Sequence, residues 1–153
     1  DRYASRGLGD VYKRQLTILK RREHYRRAFA DFQVDKIAAF DSVDVARLML
    51  DKGIVRNRLK IESAISNARH YQIIQSEYGS FSNYIWGFVS NAPIINHWSS
   101  QDSIPVTTVV SDRISSEMKK RGFRFFGSTI CYAYMQAMGL VNDHYKDCFK
   151  YRQ

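Results

Sequence analysis

Residues 119–129 read KKRGFRFFGST, and the placing of the two glycines in this basic stretch decides how the surrounding chain folds. Upstream, Ser111 or Asp112 can cap a helix carrying Ile114 and Met118 that stops at Gly122. Downstream, a helix from Ser128 carries Ile130, Cys131, Tyr134, Ala137 and Met138 and stops at Gly139. The segment is therefore a helical hairpin: Gly122 takes the left-handed conformation that ends one helix, and Gly127 starts the next with bare backbone N–H groups. Such a helix start, with Lys119, Lys120, Arg121 and Arg124 nearby, is a phosphate site independent of base sequence. The plainer alternative is an ordinary glycine-capped hairpin with a solvated basic turn.

The rest of the chain follows the same helical period. Ile18, Tyr25, Phe29 and Phe32 recur at helical spacing, with Lys20, Arg21, Arg22, Arg26 and Arg27 around them, so residues 16–32 read as one amphipathic helix. Ser42 is expected to cap a short helix through Leu50, stopped by Gly53. Ile61, Ala64, Ile65, Ala68 and Tyr71 form the stripe of a long helix over 57–76, and another helix begins after Ser80 with Tyr84, Ile85 and Trp86. Residues 91–110 hold both prolines and a β-branched run and read as a long surface connection in which short helical turns could lie. There, Trp98 and His97 fold back on the domain or form a stacking wedge. The predicted class is all-α.

The chain has 153 residues and a formal net charge of +9, from 24 Lys+Arg against 15 Asp+Glu. With 44% hydrophobic and 14% aromatic residues and two prolines, it belongs with folded domains rather than disordered or collagen-like chains. No apolar run reaches the roughly 18–20 residues of a membrane helix, and no signal-peptide core is present, so a cytoplasmic location is expected. Two cysteines are too few for a disulfide-built scaffold. The surplus positive charge points to a polyanion such as nucleic acid. No nucleophile triad, phosphate-binding glycine loop or paired-carboxylate motif can be picked out.

His144 and Cys148 are four residues apart in a segment expected to be a helix beginning after Asn142. At that spacing imidazole and thiolate face the same way and form half of a four-ligand zinc site. Coincidence is the competing account, because Cys131, His24, His70 and His97 stand at no suggestive spacing.

Four stretches carry a family resemblance: LTILKRREHYRRAFADF at 16–32, GIVRNRLKIESAISNARHY at 53–71, the Trp86 helix, and KKRGFRFFGSTICYAYMQAMGLVNDH at 119–144. In order and spacing the chain from Leu16 to Cys148 resembles DNA-3-methyladenine glycosylase I, a bacterial helix-hairpin-helix glycosylase. The resemblance implies hydrolysis of the N-glycosidic bond of 3-methyladenine in alkylated duplex DNA, without strand cleavage, by a protein acting as a monomer in the bacterial cytosol. It implies that Gly122, Arg124, Gly127, Ser128 and Thr129 hold the DNA backbone. It also implies that His144 and Cys148 are the C-terminal half of a structural zinc site whose other Cys and His come from near the family's N-terminus.

Residues 1–15, DRYASRGLGDVYKRQ, lack the family's remaining zinc ligands, the aromatics that sandwich the methylated base, and the pocket Glu that reads it. Gln15 stands where the family has a pocket Trp. The expectation is a non-native or mobile tail over 1–15 before a glycosylase-like helical domain over 16–153, with impaired activity and weak or absent zinc. Asn142 takes the place where many relatives of the superfamily carry an assisting Asp, with Asp143 beside it, and no catalytic carboxylate is assigned. Two other classes compete: a non-enzymatic helix-hairpin-helix module that binds duplex DNA, and a basic helical protein with an RNA or protein partner.

Overall fold

The computed structural model describes residues 16–151; the segment 1–15, including Gln15, lies outside them. The described chain is all-α apart from one two-residue strand pair. A helical turn at 16–20 precedes α1 (Arg22–Ala28), followed by α2 (Val34–Ala38), α3 (Ser42–Leu50), α4 (Arg58–Tyr78), α5 (Phe81–Gly87), α6 (Val109–Lys120) and α7 (Ser128–Ala137). Strand β1 (Ile94–Ile95) pairs in parallel with β2 (Val141–Asn142). The chain divides into two units, one ending at Ala68 and the other beginning at Arg69.

The core of the first unit is built from Ala28, Phe29, Ile37, Phe40, Val45, Leu48, Ile54, Ile61 and Ile65. Each large side chain among them contributes roughly 1.5–3 kcal/mol by leaving water. Cationic side chains tie the connecting backbone down: Arg21 donates to the Ile54 carbonyl at 2.9 Å, and Arg47 to the Ala28 carbonyl at 3.4 Å. Part of the basic face at 20–27 is thus structural. The expected single helix over 16–32 is interrupted at Arg21 and ends at Ala28. Ala30, Asp31 and Phe32 then take φ of 50°, 56° and 58°, a left-handed turn that moves Phe32 off the buried stripe and leaves it 52% exposed.

The caps of α3 differ from expectation in the same local way. Asp41, not Ser42, is the N-cap: its carboxylate accepts from the Val43 and Asp44 N–H groups at 2.8 and 3.2 Å, and the Asp44 carboxylate accepts from the Asp41 N–H. A carboxylate one residue earlier outcompetes the serine because it also complements the helix dipole. The helix ends at Asp51, whose carboxylate accepts from the Gly53 N–H at 2.7 Å. Gly53 is not at a left-handed φ, and a Cβ added there would lie 2.7 Å from Nδ1 of the exposed His24 side chain, which would have to move aside.

In the second unit, Ile74, Tyr84, Ile85, Ile114, Met118, Cys131, Tyr132, Met135 and Leu140 form the core. The long connection holds β1 and a 3-10 turn at Gln101–Ser103. Helix α6 begins earlier than expected, at Val109, because Thr108 and Ser111 cap each other: Thr108 Oγ1 accepts from the Ser111 N–H at 3.2 Å and Ser111 Oγ from the Thr108 N–H at 2.8 Å. The helix expected after Asn142 is absent. Residues 141–142 are spent in β2, the Asn142 side chain accepts from the His144 N–H at 3.1 Å, and turns follow through Tyr151. An Asn side chain that caps the backbone two residues on competes with helix formation.

Candidate nucleic-acid interface

Helix α6 ends in two paired backbone bonds, Gly122 N–H to the Lys119 carbonyl at 2.9 Å and Phe123 N–H to the Met118 carbonyl at 3.0 Å. Gly122 has φ 92°, so this is a Schellman end that needs glycine at its turning point. The glycine is required a second time, because a Cβ there would collide with the imidazole of His70. Helix α7 ends in the same way, with Gly139 at φ 75° and the Leu140 N–H donating to the Met135 carbonyl at 2.9 Å.

Between the helices the aromatic side chains take different directions. Phe123 is half-buried with its ring 5.9 Å from His70, and Phe126 is half-buried with its ring 6.0 Å from Tyr134. The Phe126 carbonyl accepts from Ser115 Oγ at 2.9 Å. Phe125, between these anchors, has φ 57° and is 52% exposed. A bulky residue in that conformation costs of order 1–3 kcal/mol.

Gly127 is the N-cap of α7, with φ −75° and no side-chain cap hydrogen bond. Its backbone is one that any residue adopts, and no protein atom lies within 4 Å of an added Cβ. Nothing inside the protein requires glycine at 127, so the position is open to an approaching partner. Thr129 and Arg124 are exposed beside it. Ser128 is held otherwise: its hydroxyl lies 2.8 Å from Ser111 Oγ and donates to the Asp112 carboxylate. The sequence places all five residues at the hairpin; the structure brings them together but commits Gly122 and the Ser128 hydroxyl to the fold.

The basic residues divide likewise. Arg121 is a strut: it pairs with Glu77 at 2.6 Å, donates to Tyr78 Oη at 2.9 Å, and stacks over the Tyr84 ring at 4.9 Å. Its hydrogen bond to Glu77 holds the guanidinium even more firmly protonated than usual, against the opposing effect of burial. Lys120 pairs with Glu117 at 2.6 Å, an exposed pair worth little. Lys119 and Arg124 are exposed at the hairpin.

Beyond β2 lies a polar hub that the sequence did not single out. Asp143 is buried, and its two oxygens accept four hydrogen bonds, from Asn96 and Trp98 at 2.7 Å each, Tyr132 at 2.6 Å and Gln136 at 2.8 Å. Burial opposes ionisation, but the bonds from Trp98, Tyr132, Asn96 and Gln136 outweigh it and hold the carboxyl below its ordinary range. The Tyr132 hydroxyl is pushed above the tyrosine range by burial and by this donation. A cleft of about 540 Å³ opens here, lined by Ile95, Ile104, Gln136, Val141, Asn142 and Asp143 among others. Asp143 reaches it with both oxygens engaged, which suits a brace better than a proton acceptor. Trp98 folds back onto this hub, and His97 Nδ1 lies 2.7 Å from Tyr151 Oη.

His144 and Cys148 come together without the expected helix. A turn closed by the Cys148 N–H on the Tyr145 carbonyl at 2.8 Å brings Cys148 Sγ to 3.4 Å from His144 Nδ1. Two donors on one edge of a tetrahedral zinc site are about 3.5 Å apart, given bonds of about 2.3 and 2.0 Å, so this pair has the right separation. Among the described residues no third His, Cys, Asp or Glu joins it. Cys131 is fully buried, and burial, with the Asp112 charge adding to it, pushes its thiol up to about 11.

Comparison with known proteins places residues 13–151 beside one group. A family model described as methyladenine glycosylase matches residues 13–151. The DNA-3-methyladenine glycosylase of Haemophilus influenzae is 44% identical over 133 residues, covering 87% of this chain and 72% of the relative. DNA-3-methyladenine glycosylase 1 of Escherichia coli is 45% identical over 136 residues, covering 89% and 73%. A solved structure of 3-methyladenine DNA glycosylase I from Staphylococcus aureus, concerned with 3-methyladenine recognition, is similar with a TM-score of 0.83 at 33% identity, covering 90% of this chain and 73% of that one.

Proposed function

Because the chain belongs to the methyladenine glycosylase family, we propose that it acts on duplex DNA containing alkylated bases and hydrolyses the N-glycosidic bond of 3-methyladenine. The observation that carries this reading is the collinear match over residues 13–151, which includes the hairpin. In the reaction the bond between C1′ and the base breaks, water supplies the new C1′–O bond and loses a proton, and an abasic site remains. The damaged nucleotide must leave the stack to be reached. Methylation at N3 makes the adenine cationic and a ready leaving group, so positioning and exclusion of normal bases matter more than strong acid catalysis.

The hairpin's part is to hold the backbone. Gly127 lets a phosphate approach the first N–H groups of α7, and Lys119 and Arg124 add charge that carries no sequence information. His144 and Cys148 would supply two of the four donors of a structural zinc ion, whose chemistry there is to cross-link the chain. With two donors among the described residues, zinc held by these alone is weak. The protein is read as a monomer of the bacterial cytosol; no helix among the described residues is long and apolar enough to cross a membrane.

Incubation with methylated duplex DNA and measurement of free 3-methyladenine tests the reading. Released base supports it. Duplex binding without release would favour the non-enzymatic module, and no preference for duplex DNA would remove both.

A further inference from the structure

We infer that two copies of this chain share one zinc ion, each contributing its His144 and Cys148, so that zinc joins the protein into a dimer. The inference rests on the reading of this pair as zinc donors and is independent of the glycosylase reading. The pair is already closed to chelating distance, with Cys148 Sγ 3.4 Å from His144 Nδ1. A closed zinc site takes four donors, and this chain has four His and two Cys in all. The remaining four are engaged elsewhere. Cys131 is fully buried in the core of the second unit, His70 lies against Phe123, His97 Nδ1 lies 2.7 Å from Tyr151 Oη, and His24 Nδ1 lies 3.2 Å from Arg27 Nη2. No acidic side chain among the described residues makes up the number.

A second copy supplies the two donors that one copy lacks. Two identical chelating pairs related by a two-fold axis through the ion make a tetrahedral set of two Cys and two His. Each thiol gives up its proton to solvent as it binds, and the two thiolates balance the charge of the ion. The pair sits where a copy can reach it. It is carried on a surface turn in which Lys146, Asp147, Phe149 and Lys150 are exposed, Phe149 to 83%. A two-fold contact of this turn with itself covers the apolar Phe149 ring and can set Lys146 against Asp147 of the partner subunit, twice over. A turn of this length is too small a surface to hold a dimer by itself, so association depends on the ion and the metal-free chain stays a monomer.

The test is titration of the reduced chain with zinc, reading molar mass by sedimentation together with bound metal, and repeated with cobalt as a spectroscopic stand-in. The expected result is a doubling of mass that saturates at half an equivalent of zinc per chain, with cobalt giving the absorption of a tetrahedral thiolate site at the same half-equivalent. A chelator should return the monomer. His144→Ala and Cys148→Ser, each melting like the wild type without metal, should stay monomeric with zinc. Saturation at one equivalent with unchanged mass overturns the sharing and leaves the pair as zinc donors. A dimer that survives the chelator, or that forms in His144→Ala, also overturns the sharing. A chain that binds no zinc overturns both the sharing and the reading of the pair as donors, while the proposed glycosylase activity stands or falls on base release alone.

Discussion

Ser111 Oγ and Ser128 Oγ lie 2.8 Å apart across 17 residues of sequence, joining the first turn of α6 to the first turn of α7. Ser111 is fully buried and also accepts from the Thr108 N–H at 2.8 Å, so one hydroxyl closes the capping box of one helix and sets the start of the other. Removing it strands partners in a dry place. Ser111→Ala is expected to lose about 1–3 kcal/mol of stability, read as a lower midpoint in urea with unchanged slope. An unchanged midpoint would show that the network contributes nothing.

The glycines of the hairpin should separate cleanly. Gly122→Ala must pay for a positive φ and for the His70 ring, and is expected to destabilise by about 2 kcal/mol or more. Gly127→Ala meets no protein atom within 4 Å and should change stability by about 1 kcal/mol or less. Thermal melting distinguishes them. Duplex affinity should fall on lengthening the side chain at 127, with Gly127→Leu weaker than Gly127→Ala.

Asp143 makes stability depend on acid. Its carboxyl is held below its ordinary value in the folded protein, so on acidification the unfolded chain takes up its proton first. The stabilisation is complete above the ordinary carboxylate range and is lost as pH falls through the lower, folded value. Asp143→Asn turns an amide donor toward the donors Tyr132 and Gln136 and should cost about 1.5–3 kcal/mol at neutral pH. Urea unfolding at pH 7 and at pH 3 checks both points: the gap between wild type and variant should narrow at pH 3.

The cysteines should differ in reactivity. Cys148 is partly exposed and Cys131 is buried with its thiol pushed up to about 11, so a thiol reagent at pH 8 should label one cysteine in the folded protein and the second only after denaturation. Two equally fast labels would mean that the core around Cys131 opens. Zinc in excess should slow the labelling of Cys148 alone, and His144→Ala should abolish that protection.

Helix type was legible in the residue pattern, and so were the stops at glycine other than Gly53. Gly79, Gly122 and Gly139 all sit at positive φ at helix ends, and Ser80 caps α5 with its hydroxyl accepting from the Asn83 N–H at 2.9 Å. Starts were less legible: Asp41 and Thr108 cap where Ser42 and Ser111 or Asp112 were expected. Several adjacent polar residues can cap, and which one does depends on a reciprocal bond one turn away. The His144 and Cys148 pair was found for its spacing, yet the turn that joins them is not the helix that spacing implied.

Order, charge and glycine placement along the chain were enough to reach an all-α hairpin protein and, through the collinear motifs, its family. These are local properties, decided within a turn or two of backbone. The roles of individual polar groups were not local. Asp143 became a brace because β1 and β2 pair and bring Asn96 and Trp98 across 47 and 45 residues. Ser128 lost its free hydroxyl, and Arg121 its free charge, to partners 16 to 44 residues away. Burial and hydrogen-bond satisfaction are settled by which segments meet, and a one-dimensional pattern does not contain that meeting.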